Sequence, residues 1–159
     1  MTSISPTIFG LALAIALWPA SPTLAGETKT MTKTKKEIVL VIGAHTDPTK
    51  YANKAQKLLT SYGHDAIPIN PNFKEVLGKT VYPTVAEWAK ATGKHADTVT
   101  MYVRAQHSTP MTAELVALKP RRVIFNPNTE NPVLKAALEK AGIETVENCT
   151  LVMLEHDLF

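Results

Sequence analysis

Five consecutive apolar residues, Ile38 to Ile42 (IVLVI), stop abruptly at Gly43. Most of them are β-branched, and no polar residue interrupts them. Such a run is a strand buried on both faces. A strand covered on both sides needs helices above and below its sheet, which points to a parallel α/β architecture. A short turn follows Gly43, and a helical period starts near Lys50. Strand, tight loop and helix N-terminus form the unit that parallel α/β proteins use to hold phosphate. The segment IVLVIGAHTDPTKY carries one of the three glycines of the dinucleotide fingerprint. It therefore indicates phosphate without choosing a ligand, and it would equally serve as an ordinary βα turn.

The chain beyond this unit alternates between helix and strand periods. A helix is expected over about Lys50 to Tyr62, with Tyr51, Ala55, Leu58, Leu59 and Tyr62 on one face and Gly63 at C′. Asp65 to Ile69 reads as a second strand, ended by Asn70-Pro71-Asn72. Phe73 to Tyr82 reads as a loop, with Gly78 as a turn residue and Val81-Tyr82 extended. Thr84 and Glu87 form a capping box for a short helix anchored by Trp88. Thr98 to Val103 is the next strand. Thr109-Pro110 supplies N-cap and N1 of a helix presenting Met111, Leu115, Val116 and Leu118. Arg122 to Phe125 is a strand, and Asn131-Pro132 opens a helix carrying Val133, Leu134, Ala137, Leu138 and Ala141. Ile143 to Val146 and Leu151 to Leu154 read as the last extended pieces. This order predicts a doubly wound, Rossmann-like parallel sheet over residues 37–159, with right-handed connections.

Composition narrows the function classes. A length of 159 residues fits one domain plus a leader. The net charge of +3 favours anionic ligands only weakly. No Lys/Arg cluster is interleaved with aromatics, so nucleic acid is not indicated. The five histidines form no HxH or HxxxH pair, which leaves a metal site without support. The single cysteine, Cys149, can form no intrachain disulfide, and buried packing is its default role.

Residues 1–30 stand apart from the fold. Ile8 to Trp18 is an apolar run of eleven residues, which suits a signal-peptide core and is too short to span a bilayer. No Lys or Arg precedes it. Alternatively, Met31 opens the chain and residues 1–30 are an upstream extension. The first reading implies export to the periplasm, with residues 1–25 removed. The second implies a cytoplasmic protein, which a lone cysteine also suits.

In a doubly wound sheet, ligands sit outside the carboxyl ends of the strands, where the strand order reverses. Four segments face that crevice: Gly43 to Tyr51, Asn70 to Lys74, Arg104 to Ser108 and Asn126 to Asn131. The first offers backbone N–H groups and a helix N-terminus, with Lys50 or Lys54 near. The second holds Asn70, Pro71 and Lys74 where a dinucleotide binder usually carries an acid for the ribose hydroxyls. Neutral and basic groups suit a phosphorylated ribose better. The third contains neighbouring His107 and Ser108, but adjacent residues rarely face each other, and no GxSxG elbow is present. The fourth is rich in amides, which bind amide-containing ligands and also make good loops.

Together these pieces resemble the CoA-binding-domain family of small stand-alone Rossmann proteins, which are similar to the N-terminal domain of the succinyl-CoA synthetase alpha subunit. The matching stretches are VIGAHTDPTKYANKA, IPINP, GKTVYP, RRVIFNPNTENP and ENCTLVML. The resemblance implies CoA or an acyl-CoA laid across the strand ends. Gly43, Ala44, Thr46, Pro48 and Tyr51 would hold its phosphates. Pro68, Asn70, Pro71 and Lys74 would lie near its adenosine. Val103, Arg104, Asn126, Pro127, Asn128 and Thr129 would approach its pantetheine arm. The middle strand departs from the family pattern, with YVRAQHS in place of a more usual Arg-Pro or Asn-Pro pair. The resemblance implies a non-catalytic binding module. An enzyme or regulatory protein using another nucleotide, such as NAD(P), is the alternative.

Overall fold

The computed structural model describes residues 35–159. Both readings of residues 1–30 lie outside the described residues. Among the described residues no helix is long and apolar enough to cross a membrane.

Five parallel strands form the main sheet: β1 (Ile38–Ile42), β2 (Asp65–Ile69), β5 (Thr98–Met101), β6 (Arg122–Phe125) and β7 (Glu144–Glu147). Their order is β2-β1-β5-β6-β7, so the chain winds outward from β1 to one edge and then crosses to β5. The strand order reverses between β1 and β5, which fixes the ligand crevice at their carboxyl ends.

The expectation for β1 holds from Val39 to Ile42, with Ile38 half-buried. Leu40 and Ile42 face one core, with Trp88, Val99, Met101, Leu115, Phe125, Leu134 and Leu138. Val39 and Val41 face a second core, with Ala52, Leu59, Ala66 and Leu154. Alternate residues thus serve opposite faces, as the period of two in a strand requires. Helices α1 (Tyr51–Ser61) and α6 (Thr150–Glu155) cover one face. Helices α2 (Val85–Thr92), α4 (Thr112–Leu118) and α5 (Pro132–Lys140) cover the other.

Two predicted caps are present. Thr84 Oγ1 accepts the Glu87 N–H at 3.1 Å, and Asn131 Oδ1 accepts the Leu134 N–H at 3.0 Å. Several expectations need correction. Leu151 to Leu154 is not extended but lies in helix α6. Thr150, Met153 and Leu154 are its buried residues, a spacing of three and four that belongs to a helix face. Thr109 is not an N-cap. The helical path begins at Ala105 with α3 (Ala105–Ser108), passes through a 3-10 turn (Thr109–Met111), and continues as α4. The Thr109 hydroxyl instead donates back to Ala105 O at 2.8 Å. The loop from Phe73 contains a small antiparallel hairpin, β3 (Glu75–Val76) and β4 (Lys79–Thr80), turned at Leu77-Gly78 with both φ positive. Tyr82 then forms a single parallel bridge to Ile69.

The buried face of α1 also differs. Tyr51 is 67% exposed, whereas Asn53 and Gln56 are each 1% exposed. Two amides occupy the place expected of apolar side chains, because nearby carbonyls use them. Gln56 Nε2 donates to Val76 O at 3.3 Å, tying the hairpin to the helix. Asn53 serves the loop after β1. In α5, Val133 is exposed while Leu134 and Leu138 are fully buried.

At the opposite end of the sheet, Glu37 gathers a polar cluster. Its carboxylate accepts from Thr98 Oγ1 at 2.6 Å and from Arg121, with Arg122 at 3.4 Å. Its N–H donates to His64 Nδ1 at 3.2 Å. Phe159 covers the cluster, with its ring 4.3 Å from the Arg122 guanidinium and 4.9 Å from the His64 ring. Removing one partner of such a buried pair destabilises strongly, so the cluster ties the start of β1 to β5, β6 and Phe159 at this end of the sheet.

Candidate functional site

Two clefts open at the carboxyl ends of the strands, and Gly43 borders both. Its φ of +84° is a left-handed conformation. A Cβ there would lie 2.8 Å from Val103 Cγ1 and 3.1 Å from Tyr102 O. Backbone conformation and close packing against β5 therefore both demand glycine, which is how β1 can turn without closing the crevice.

The larger cleft, about 540 Å³, lies between the start of α1 and the ends of β5, β6 and β7. Lys50, Tyr51 and Ala52 border it from α1, and Tyr102 and Arg104 from beyond β5. His45 from the loop after β1, Asn126 to Thr129, Cys149 and Leu151 complete it. Lys50 and Arg104 bring two positive charges, and none of the lining residues is an acid. Lys50 also occupies the N-cap of α1 without a side-chain bond to the helix. The Tyr51 and Ala52 N–H groups are therefore left to whatever enters the cleft, while the Asn53 N–H donates to Lys50 O at 3.1 Å.

The smaller cleft, about 430 Å³, opens on the β2 side. Ile42, Ile69, Val103 and Met111 make it largely apolar, with Asn70 to Asn72, Pro83, Thr84, His107 and Glu114 around them. Its one acid, Glu114, accepts the Ala86 N–H at 3.2 Å.

The predicted site residues divide accordingly. Gly43, Tyr51, Arg104, Asn126, Pro127, Asn128 and Thr129 line the larger cleft. Asn70, Pro71 and Val103 line the smaller one. Ala44, Thr46, Pro48, Pro68 and Lys74 line neither. Ala44 is fully buried, and Pro68 is buried within the edge strand, where its carbonyl accepts the Tyr82 N–H at 3.1 Å. The Lys74 backbone accepts from Val81, and its side chain stands in solvent.

The amides expected to meet a ligand are already engaged by the fold. Asn126 is 3% exposed. Its Nδ2 donates to Thr100 Oγ1 at 2.7 Å and to Met101 O at 3.0 Å, and its Oδ1 accepts the Thr150 N–H at 2.8 Å. It thus joins β5, β6 and the first turn of α6. Asn70 Nδ2 donates to Ala44 O at 2.8 Å, while its Oδ1 accepts the Asn72 N–H at 2.9 Å. Thr129 turns back onto Asn126 O through both N–H and hydroxyl. These residues shape the walls, and the groups left to meet a ligand are Lys50, Arg104, Asn128 and backbone N–H. Asn128 itself holds φ of +70°, a conformation asparagine tolerates better than most residues.

The chain also brings in residues outside the four segments. Cys149 enters from the loop after β7 and Leu151 from the first turn of α6, a fifth strand end that appears once α6 is recognised as a helix. Cys149 is half-buried on the cleft wall and not in the core. Tyr102 forms part of the floor. Burial pushes its hydroxyl up to about 12, with Thr150, Thr100 and Asn126 close enough to oppose the shift weakly. None of them reaches it in hydrogen-bond geometry, so the hydroxyl is unpartnered. His45 is held by its own loop, where Nδ1 accepts the Asp47 N–H at 2.9 Å and the ring meets Phe73 edge-on at 4.9 Å. Asp47 closes an Asx turn by accepting from the Thr49 N–H and hydroxyl, which lowers its pKa. His107 lies beside Gln106 at 3.1 Å, while buried Ser108 bonds to Ala105 and Asn131. The neighbouring His and Ser do not form a nucleophile–base pair. Among the described residues no cluster of three metal-ligating side chains occurs.

Residues 37–155 match the profile of a family described as the CoA binding domain. A crystal structure of an uncharacterized protein is similar to this chain, with 39% identity over 79% of this chain and 99% of its own, and a TM-score of 0.72. A conserved hypothetical protein from Pyrococcus furiosus is 30% identical, over 76% of this chain and 99% of its own, with a TM-score of 0.64. The acetyl-coenzyme A synthetase 1 of Ca. Korarchaeum cryptofilum shares the fold at 20% identity and a TM-score of 0.59, over 70% of this chain and 25% of its own. No curated protein matches the chain.

Proposed function

The chain belongs to the CoA binding domain family, and on that premise we propose that it binds CoA or an acyl-CoA as a non-catalytic ligand-binding module. One observation carries this reading. The larger cleft pairs two cations, Lys50 and Arg104, with the uncapped start of α1 and holds no lining carboxylate. That combination suits a pyrophosphate, which needs N–H donors, positive charge and no opposing acid. The end of β2, with Asn70 and Pro71 beside a largely apolar cleft, suits an adenosine. The pantetheine arm then runs along Arg104 and Asn126 to Thr129, with Cys149 and Leu151 on the far wall. A non-catalytic role is favoured because Asn126, Thr129 and Ser108 are engaged in bonds within the fold.

Isothermal titration calorimetry tests the reading. CoA should bind the wild type at one site per chain. Lys50→Ala and Arg104→Ala should each weaken binding by about tenfold, the loss of one charge-assisted contact. Variants with undiminished affinity would contradict the placement of the pyrophosphate.

A further inference from the structure

The loop that leaves β1 is held from behind by two amides, half-buried Asn70 and fully buried Asn53. Asn70 Nδ2 donates to Ala44 O at 2.8 Å. Asn53 Nδ2 donates to His45 O at 2.8 Å and to Thr46 O at 3.3 Å. Three successive carbonyls are thereby drawn toward side chains of β2 and α1. In a trans peptide the C=O of one residue and the N–H of the next point to opposite sides of one plane. Fixing Ala44 O and His45 O therefore turns the His45 and Thr46 N–H groups away from the clamps. Neither N–H has a protein acceptor among the described residues. The next one, on Asp47, is taken by His45 Nδ1.

We propose that Asn53 is a positioning residue that orients the Thr46 N–H, next to the His45 N–H that Asn70 orients through Ala44 O, as a phosphate-binding nest beside the larger cleft that His45 lines. The inference rests on the CoA-binding reading above and adds the residue that builds the phosphate subsite. Asn53 is 1% exposed, so it touches no ligand and acts only through the loop. Its orientation is set by chemistry, because a flipped amide would aim Oδ1 at two carbonyl oxygens. That Oδ1 has no partner, although it is fully buried. An orphaned buried acceptor is costly. Apolar packing alone would be served better by leucine or alanine on this face of α1, so the amide is retained for its two carbonyl bonds. Successive N–H groups left pointing one way make a concavity suited to an anion, and the start of α1 and Lys50 lie beside this one.

The test compares the wild type with Asn53→Ala and Asn53→Asp, using calorimetry with CoA, ADP and pantetheine, and amide resonances of His45 and Thr46. Wild type should bind CoA and ADP, with ADP shifting both resonances. Asn53→Ala should lose about tenfold in affinity for CoA and ADP, as expected for lost orienting bonds, and change by less than about twofold toward pantetheine. A merely structural role would weaken all three ligands alike. If Asn53→Ala does not fold, Asn53→Asp carries the same expectation, since it keeps the shape and sets an oxygen against the carbonyls. A folded variant with wild-type ADP affinity and unmoved amide resonances overturns the positioning role. A wild type that binds neither CoA nor ADP overturns the functional reading itself.

Discussion

Gly43 and Tyr102 show how much of the crevice is decided at single residues. Gly43→Ala would combine a strained positive φ with a Cβ driven into Val103 and the Tyr102 carbonyl. The expected cost is about 1–3 kcal/mol, read as a lower urea midpoint, together with weakened CoA binding as β1 and β5 move apart. Tyr102→Phe should behave oppositely. It deletes a hydroxyl that is buried without a partner. Its stability should be unchanged or raised by up to about 1 kcal/mol, and a clear loss in chemical denaturation would reveal a bond the geometry does not contain. The need for glycine at position 43 is legible in the sequence, because a strand stops there. The unpartnered hydroxyl is not, because Tyr102 meets Thr100, Thr150 and Asn126 only through the fold.

Helices α1 and α6 carry the main lesson at the level of elements. The existence of α6 and the buried face of α1 both depend on a polar residue that serves a distant backbone. Asn53 and Gln56 break the apolar stripe of α1, since they answer carbonyls of the loop after β1 and of the β3–β4 hairpin. No local period encodes that. The short run from Leu151 to Leu154 is apolar in either conformation, and Asn126 decides it by accepting the Thr150 N–H from β6. Asn126→Ala should therefore cost about 2–3 kcal/mol, leaving buried groups of β5 and α6 short of a partner. The loss should appear as faster amide exchange through Thr150 to Leu154. By contrast, the caps at Thr84 and Asn131 are legible because cap and helix are adjacent in sequence.

The parallel α/β order is legible because β1 is a continuous apolar run and the other four strands fall between helical periods, although β7 (ETVE) is not apolar and Leu151 to Leu154 is helical. The division of the crevice into a cationic cleft and an apolar cleft is not legible, since it depends on which side of Gly43 each loop falls. At the opposite end, burial holds the His64 imidazole below its usual 6.5, with Arg122 adding to the shift and Glu37 opposing it. The unfolded chain then takes up this proton first as the pH falls. Stability should accordingly drop as pH falls below about 6.5, toward the lower folded value, and be fully restored above it. Urea midpoints measured on either side of about pH 6.5 should differ in the wild type, and His64→Asn should narrow the difference. An equal pH dependence in both proteins would remove His64 as its source.

As proposed above, the crevice takes CoA and not a dinucleotide with a free ribose diol. Melting temperature in the presence of each ligand tests it most directly, because a ligand that binds only the native state raises stability by mass action. CoA at about a hundredfold excess over its dissociation constant should raise the melting temperature by several degrees, while NAD at the same concentration leaves it unchanged. A shift with NAD and none with CoA would contradict the account.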